Sequence, residues 1–169
     1  MVQKEVKRKS AEQALRLLMN MAARAERSSG DALRLMKRWG VDDNDAQRVL
    51  QRLIAERFID DSRYAAAFVR EKINLSGWGS YKIVAALRRK GVDNRIIENA
   101  LSQYGSVDME ERLQGLLEKK IKTVKYRDTS DLRAKLFRFA ASRGYDYSTA
   151  MQAVDRVVKG ERECDNLDF

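Results

Sequence analysis

At 169 residues and 44% hydrophobic content the chain has enough apolar material for buried cores, while nine Gly and no Pro leave little to interrupt helix. It has no His and a single Cys, Cys164, which excludes an intramolecular disulfide and a cysteine-based zinc site and removes the commonest general base and metal ligand. The 34 basic residues outnumber the 25 acidic ones to give +9, which points to an anionic partner or one with an acidic surface.

Met1 to Lys9 is basic and lacks the apolar core of a signal segment, and no apolar run reaches the length of a membrane span. A soluble cytoplasmic chain is expected. From about Ser10, an apolar stripe of Ala11, Leu15, Leu18, Ala22 and Ala25 predicts a first helix that ends at Ser28-Ser29-Gly30. Leu33 and Met36 then face inward on a short second helix that stops at Gly40, and a third helix runs from about Asp43 to Arg57. None of these stripes can bury itself, so the three helices must pack together.

The plan repeats. Asp60-Asp61 caps a helix carrying Tyr64, Ala65, Phe68 and Val69, and Ser76-Gly77-Trp78-Gly79-Ser80 reads as a loop. Ile83 and Leu87 then lead to Gly91. Met109, Leu113, Leu117, Ile121 and Val124 predict a longer helix, and Leu132, Leu136 and Phe139 a second one before Gly144. Glu161 to Phe169, with four acidic groups and one Arg, is expected to be an acidic flexible tail.

A short phrase fixes the period. Gly40-Val41-Asp42, Gly91-Val92-Asp93 and Gly144-Tyr145-Asp146 lie 51 and 53 residues apart, each followed by apolar residues at matching offsets. Gly suits the position just past a helix end, and Asp two residues on can N-cap the next helix. Val41, Val92 and Tyr145 then pair with Ala46, Ile97 and Ala150 as hydrophobic staples. Asp45, Ile96 and Thr149 stand where a capping box would place Glu or Gln. The expected fold is all-α: three tandem three-helix repeats over residues 10–59, 60–105 and 106–160, with a tail at 161–169, forming an elongated curved array.

The positive charge is spread over all three repeats, which suits an elongated partner. A Gly corner before a third helix is also the outline of a DNA-binding helix-turn-helix. Asp42, Asp43 and Asp45, however, would meet DNA at that helix start in the first repeat, and the other two starts offer no cluster of base-reading residues. Basic residues gather instead on the second helices, at Lys37 and Arg38 and at Arg88, Arg89 and Lys90. A further basic stretch on the first helix of the third repeat comprises Lys119, Lys120, Lys122, Lys125 and Arg127. Trp78 and Tyr81 beside Gly77 and Gly79, and Trp39 beside Gly40, could stack on a base, dock into a partner or close a bundle end. Asp60, Asp61 and Arg63 read as a cap with a local ion pair, and no catalytic or metal-binding constellation is found.

The run from Glu56 to Val69, with Ile59, Asp60, Asp61, Arg63, Tyr64, Ala65 and Phe68, followed by Gly79, Ile83, Leu87, Lys90, Gly91 and Val92, resembles the RecX family of bacterial recombination regulators. The family's central repeat carries an apolar pair, Asp-Asp-x-Arg-aromatic-Ala, a further aromatic, a Gly and a Lys-Gly-Val ending. The resemblance spans about residues 10–160. Departures are Gly30-Asp31-Ala32-Leu33, where relatives more often place Glu before the Leu, and Ala140 to Arg143, which weakens the basic patch of the third repeat.

The resemblance implies a non-enzymatic, cofactor-free monomer that binds the RecA filament along its groove. It also implies modulation, usually inhibition, of RecA's ATPase, strand-exchange and coprotease activities in DNA repair and the SOS response. Single- or double-stranded DNA is met directly or through RecA. The contact cations expected on this reading are Arg70, Lys72, Lys82, Arg88, Arg89 and Lys90, with Lys119, Lys120, Lys122, Lys125 and Arg127 as a second group. A DNA-binding helix-turn-helix array acting without RecA is the alternative.

Overall fold

The computed structural model describes residues 8–165, apart from the side chains of 106, 107 and 162–165. The basic stretch before residue 8, the side chain of Cys164 and the last four residues of the expected tail lie outside the described residues. Among the described residues all regular structure is helical. Repeat one holds α1 (Ala11–Arg24), α2 (Ser29–Arg38) and α3 (Asp43–Ala55). Repeat two holds α4 (Asp61–Asn74), α5 (Ser80–Arg89) and α6 (Asn94–Ser102). Repeat three holds α7 (Ser106–Ile121), α8 (Thr129–Arg143) and α9 (Tyr147–Asp165).

By proximity the chain divides into two compact units, Met1–Phe68 with Ala86–Ala100 and Val69–Ala85 with Leu101–Phe169. The boundaries fall inside α4, α5 and α6. Unit one encloses a core of Ala14, Leu15 and Leu18 from α1, Ala32 and Met36 from α2, and Ala46, Val49, Leu50 and Leu53 from α3. Unit two encloses Leu113, Leu117 and Ile121 from α7, Leu132, Leu136 and Ala140 from α8, and Ala150, Ala153, Val154, Val157 and Val158 from α9. Helices α4, α5 and α6 bury Ala65, Val69, Ile73, Ile83, Leu87, Ile97 and Ala100.

Each corner is built as its residues require. Gly40, Gly91 and Gly144 have φ of 71°, 75° and 89°, a left-handed conformation that a Cβ would strain. The N–H groups of Val41, Val92 and Tyr145 reach back to the carbonyls of Met36, Leu87 and Ala140, and those of the glycines to Lys37, Arg88 and Ala141, the bond pair of a Schellman end. Asp42 then accepts from Asn44 N at 2.9 Å, Asp93 from Arg95 N at 2.8 Å and Asp146 from Thr149 N at 2.9 Å. Both staple residues are buried at all three corners.

Three local expectations change. Ser28-Ser29-Gly30 does not end α1, which stops at Arg24; the Ser28 hydroxyl accepts from Asp31 N and caps α2, so Gly30 lies inside a helix. Helix α7 stops at Ile121, so Lys122 is its cap and Lys125 and Arg127 lie in the connection to α8 rather than on the helix. There Thr123 turns its hydroxyl onto the Lys120 carbonyl, a local bond that competes with continued helix. Finally, α9 runs to Asp165, into the segment expected to be a flexible tail.

Candidate partner-binding surface

In unit one the start of α2 meets the end of α5. Gly30 has no room for a side chain: a Cβ there would strike the Lys90 carbonyl and stand 2.8 Å from the Gly91 Cα. The Ser28 hydroxyl donates to that carbonyl at 2.7 Å, and Arg34 Nη1 donates to the Arg89 carbonyl at 2.8 Å. Two C-terminal carbonyls of α5, which have no partner inside their own helix, are thus satisfied from α2. Asp31 holds the Arg34 guanidinium and, at 3.1 Å, the Lys90 ammonium. Burial pushes the Asp31 carboxyl up, but the bonds and charges of Arg34 and Lys90 outweigh it and hold the group below the usual carboxylate value.

Unit two repeats this geometry between the start of α5 and the end of α8. A Cβ on Gly79 would stand 2.5 Å from the Gly144 carbonyl carbon. Gly79 N donates to the Arg143 carbonyl at 2.8 Å, Tyr81 N to Gly144 O at 3.1 Å, and Lys82 Nζ to the Ser142 carbonyl at 3.1 Å. Arg143 in turn donates to the Ser76 carbonyl at 2.5 Å. At the first corner, Lys9 N donates to the Trp39 carbonyl at 2.9 Å and Arg8 lies over Gly40.

The residues of the Asp-Asp-x-Arg run serve the same junction. Asp60 caps α4 by accepting from Arg63 N, while Asp61 accepts from Ser29 N at 2.8 Å and so ties α4 to the start of α2. Arg63 does not form the local ion pair expected of it; its guanidinium reaches Glu26 at 2.5 Å and the Arg57 carbonyl at 3.2 Å. Ile59 and Ala65 are buried, and Tyr64 stacks on Phe68 with ring centroids 6.0 Å apart.

The expected contact cations separate into two groups. Arg70, Arg88, Arg89, Lys119, Lys122, Lys125 and Arg127 are exposed, Arg88 with its Nε on Asn94 at 2.9 Å and Arg127 with Asp131 at 3.9 Å. Lys72, Lys82, Lys90 and Lys120 have internal work. The ammoniums of Lys72 and Lys82 lie 5.3 and 4.7 Å from the Trp78 ring, and Lys120 lies 5.5 Å from the ring of Phe139, which Arg143 also faces. Trp39, under Lys9, packs on the core of unit one, so both tryptophans have structural surroundings. Sequence reasoning does not mark out Arg34 or Lys135, which donates to the Lys125 carbonyl at 2.7 Å, and meets Asp31 and Arg143 only within departures from the family pattern. Among the described residues no cluster fit for a metal ion occurs, and no helix is long and apolar enough to cross a membrane.

Family models described as the second and third three-helix domains of RecX match residues 60–101 and 108–154. The "Regulatory protein RecX" of Mycobacterium sp. (strain KMS) is 35% identical over 153 residues, covering 88% of this chain and 81% of that protein. The chain belongs to the RecX family. The RecX protein of Mycolicibacterium vanbaalenii is 30% identical over 161 residues, covering 92% of this chain and 88% of its own length. The crystal structure of RecX from Lactobacillus salivarius superposes with a TM-score of 0.74 at 21% identity, over 87% of this chain and 96% of that one. A second RecX crystal structure gives 0.79 at 23% identity, over 86% and 73%. These two likenesses show the fold, an all-helical RecX architecture; the sequence relatives give the regulatory family.

Proposed function

We propose that this protein is a non-enzymatic regulator that binds the filament of RecA on DNA and restrains RecA's ATPase, strand-exchange and coprotease activities. On this reading it acts as a cytoplasmic monomer in DNA repair and the SOS response. Membership of the RecX family carries the reading. It is supported by the exposed cations Arg88 and Arg89 in the last turn of α5, and by Lys119, Lys122, Lys125 and Arg127 around the end of α7. Such residues suit a groove lined by phosphate and acidic side chains. The chain has no His, the commonest general base, which is in keeping with a regulator that is not an enzyme.

The test is DNA-dependent ATP hydrolysis by the cognate RecA, titrated with this protein. Inhibition that Arg88→Glu with Arg89→Glu weakens at unchanged helicity is the expected result, and no effect of the wild-type chain at large excess would refute the reading. Where a cation binds a phosphate directly, its removal should reduce the slope of log affinity against log salt by about one. Tight, salt-steep DNA binding without RecA would instead favour a helix-turn-helix array acting on DNA alone.

A further inference from the structure

We propose that Lys90 is a positioning residue rather than a partner contact: with Arg34 and Asp31 it fastens the end of α5 to the start of α2, so that Arg88 and Arg89 are presented outward. The inference rests on the functional reading above and refines it. In sequence, Arg88, Arg89 and Lys90 form one basic cluster; the structure divides it. The Lys90 ammonium is bound to Asp31 at 3.1 and 3.4 Å, and its carbonyl is taken by the Ser28 hydroxyl. Asp31 is the more enclosed partner, its side chain 19% exposed against 42% for Lys90. It carries Arg34 as well, and Arg34 in turn closes the Arg89 carbonyl.

The arrangement is not a single coincidence. Two residues before Gly91 the Arg89 carbonyl receives Arg34, and two residues before Gly144 the Ser142 carbonyl receives Lys82. One residue before each glycine the carbonyl receives a donor from the preceding repeat, the Ser28 hydroxyl onto Lys90 and the Gly79 N–H onto Arg143. Both junctions set a glycine, Gly30 or Gly79, against the corner so that the backbones meet without side chains between them. A cation clamp plus a glycine contact is therefore a repeated joint, and Lys82 fills in unit two the place that Arg34 fills in unit one. A clamp of opposite charges acts over a few ångströms and tolerates exchange of its signs, whereas a partner contact at position 90 does not.

That difference gives the experiment. The full-length wild type, K90D, D31K and the exchanged pair D31K/K90D are compared in urea unfolding and in inhibition of RecA's DNA-dependent ATPase. Each single substitution is expected to lower the urea midpoint and to raise the half-inhibitory concentration roughly tenfold. The exchanged pair is expected to recover both in part although position 90 is then acidic, by the share of the Asp31 to Lys90 pair alone, because a lysine at position 31 no longer holds Arg34. R89E is expected to lose inhibition at an unchanged midpoint. A recovered midpoint with inhibition still as weak as in K90D would overturn the proposal, as would an unfolding cycle with no coupling between positions 31 and 90. If the reversed variants do not fold, D31N/K90Q replaces them in the same cycle; an inhibition loss that follows the midpoint supports the clamp, and one at full stability overturns it. Failure of the wild type to inhibit RecA would remove the functional reading, while the unfolding cycle would still decide the clamp.

Discussion

Residues that break a local rule are the most informative ones here. Arg57, between α3 and α4, has φ of 59°, the left-handed conformation that costs a non-glycine residue about 1 kcal/mol. Arg57→Gly should therefore raise the unfolding free energy by roughly 0.5–1 kcal/mol in urea titration, and a lower midpoint would show that the arginine side chain matters more than the strain. Tyr145 occupies the staple position that Val41 and Val92 fill elsewhere, and its hydroxyl is buried without a hydrogen-bond partner. Burial pushes its phenol up, against the smaller opposing charges of Arg112 and Arg143. Tyr145→Phe should leave stability unchanged or raised in thermal unfolding, because an apolar ring of the same shape removes a desolvated group.

At the scale of elements, the helices owe their ends to single residues and their junctions to glycine. Gly30 and Gly115 both lie within helices, yet a Cβ at Gly30 meets the Lys90 backbone and one at Gly115 meets nothing within 4 Å. Gly30→Ala should accordingly destabilise unit one, while Gly115→Ala should stabilise α7 by up to about 1 kcal/mol through helix propensity. Equal effects in denaturant titration would mean that the junction has yielded. The corners were legible because Gly, an apolar residue and Asp have fixed local tasks, and they recur at a fixed period. The end of α1 was not: Ser28-Ser29-Gly30 has the composition of a stop, and only the Ser28 hydroxyl on Asp31 N and Lys90 O turns it into a start. The same holds for α7, where Leu117, Ile121 and Val124 keep helical spacing past the point where the helix ends, because Val124 can reach the core of unit two from a loop.

At the scale of the molecule, three carboxyls among the described residues couple charge to stability. Asp31 stays below its ordinary value of 3.8 despite burial, because Arg34 and Lys90 bind it; Asp131 is lowered by Lys135 and by the Arg127 N–H, and Asp146 by the Thr149 hydroxyl and N–H. A carboxyl depressed on folding stabilises the native state above its unfolded value, and that contribution disappears as pH falls through the folded one. Stability should hold down to about pH 4 and decline below it, and Asp31→Asn should flatten the acid limb of a pH series of unfolding midpoints. The Tyr145 phenol acts in the opposite range, its contribution being present below about pH 10 and lost as pH rises through the higher folded value. Sequence alone determined the helical class, the period of the corners and the family resemblance, because capping, patterning and propensity act over neighbouring residues. Which cations are exposed and which are clamps was decided only by the tertiary structure. The Asp31 to Lys90 and Lys82 to Ser142 contacts join residues some sixty positions apart, and no local preference encodes a partner at that distance.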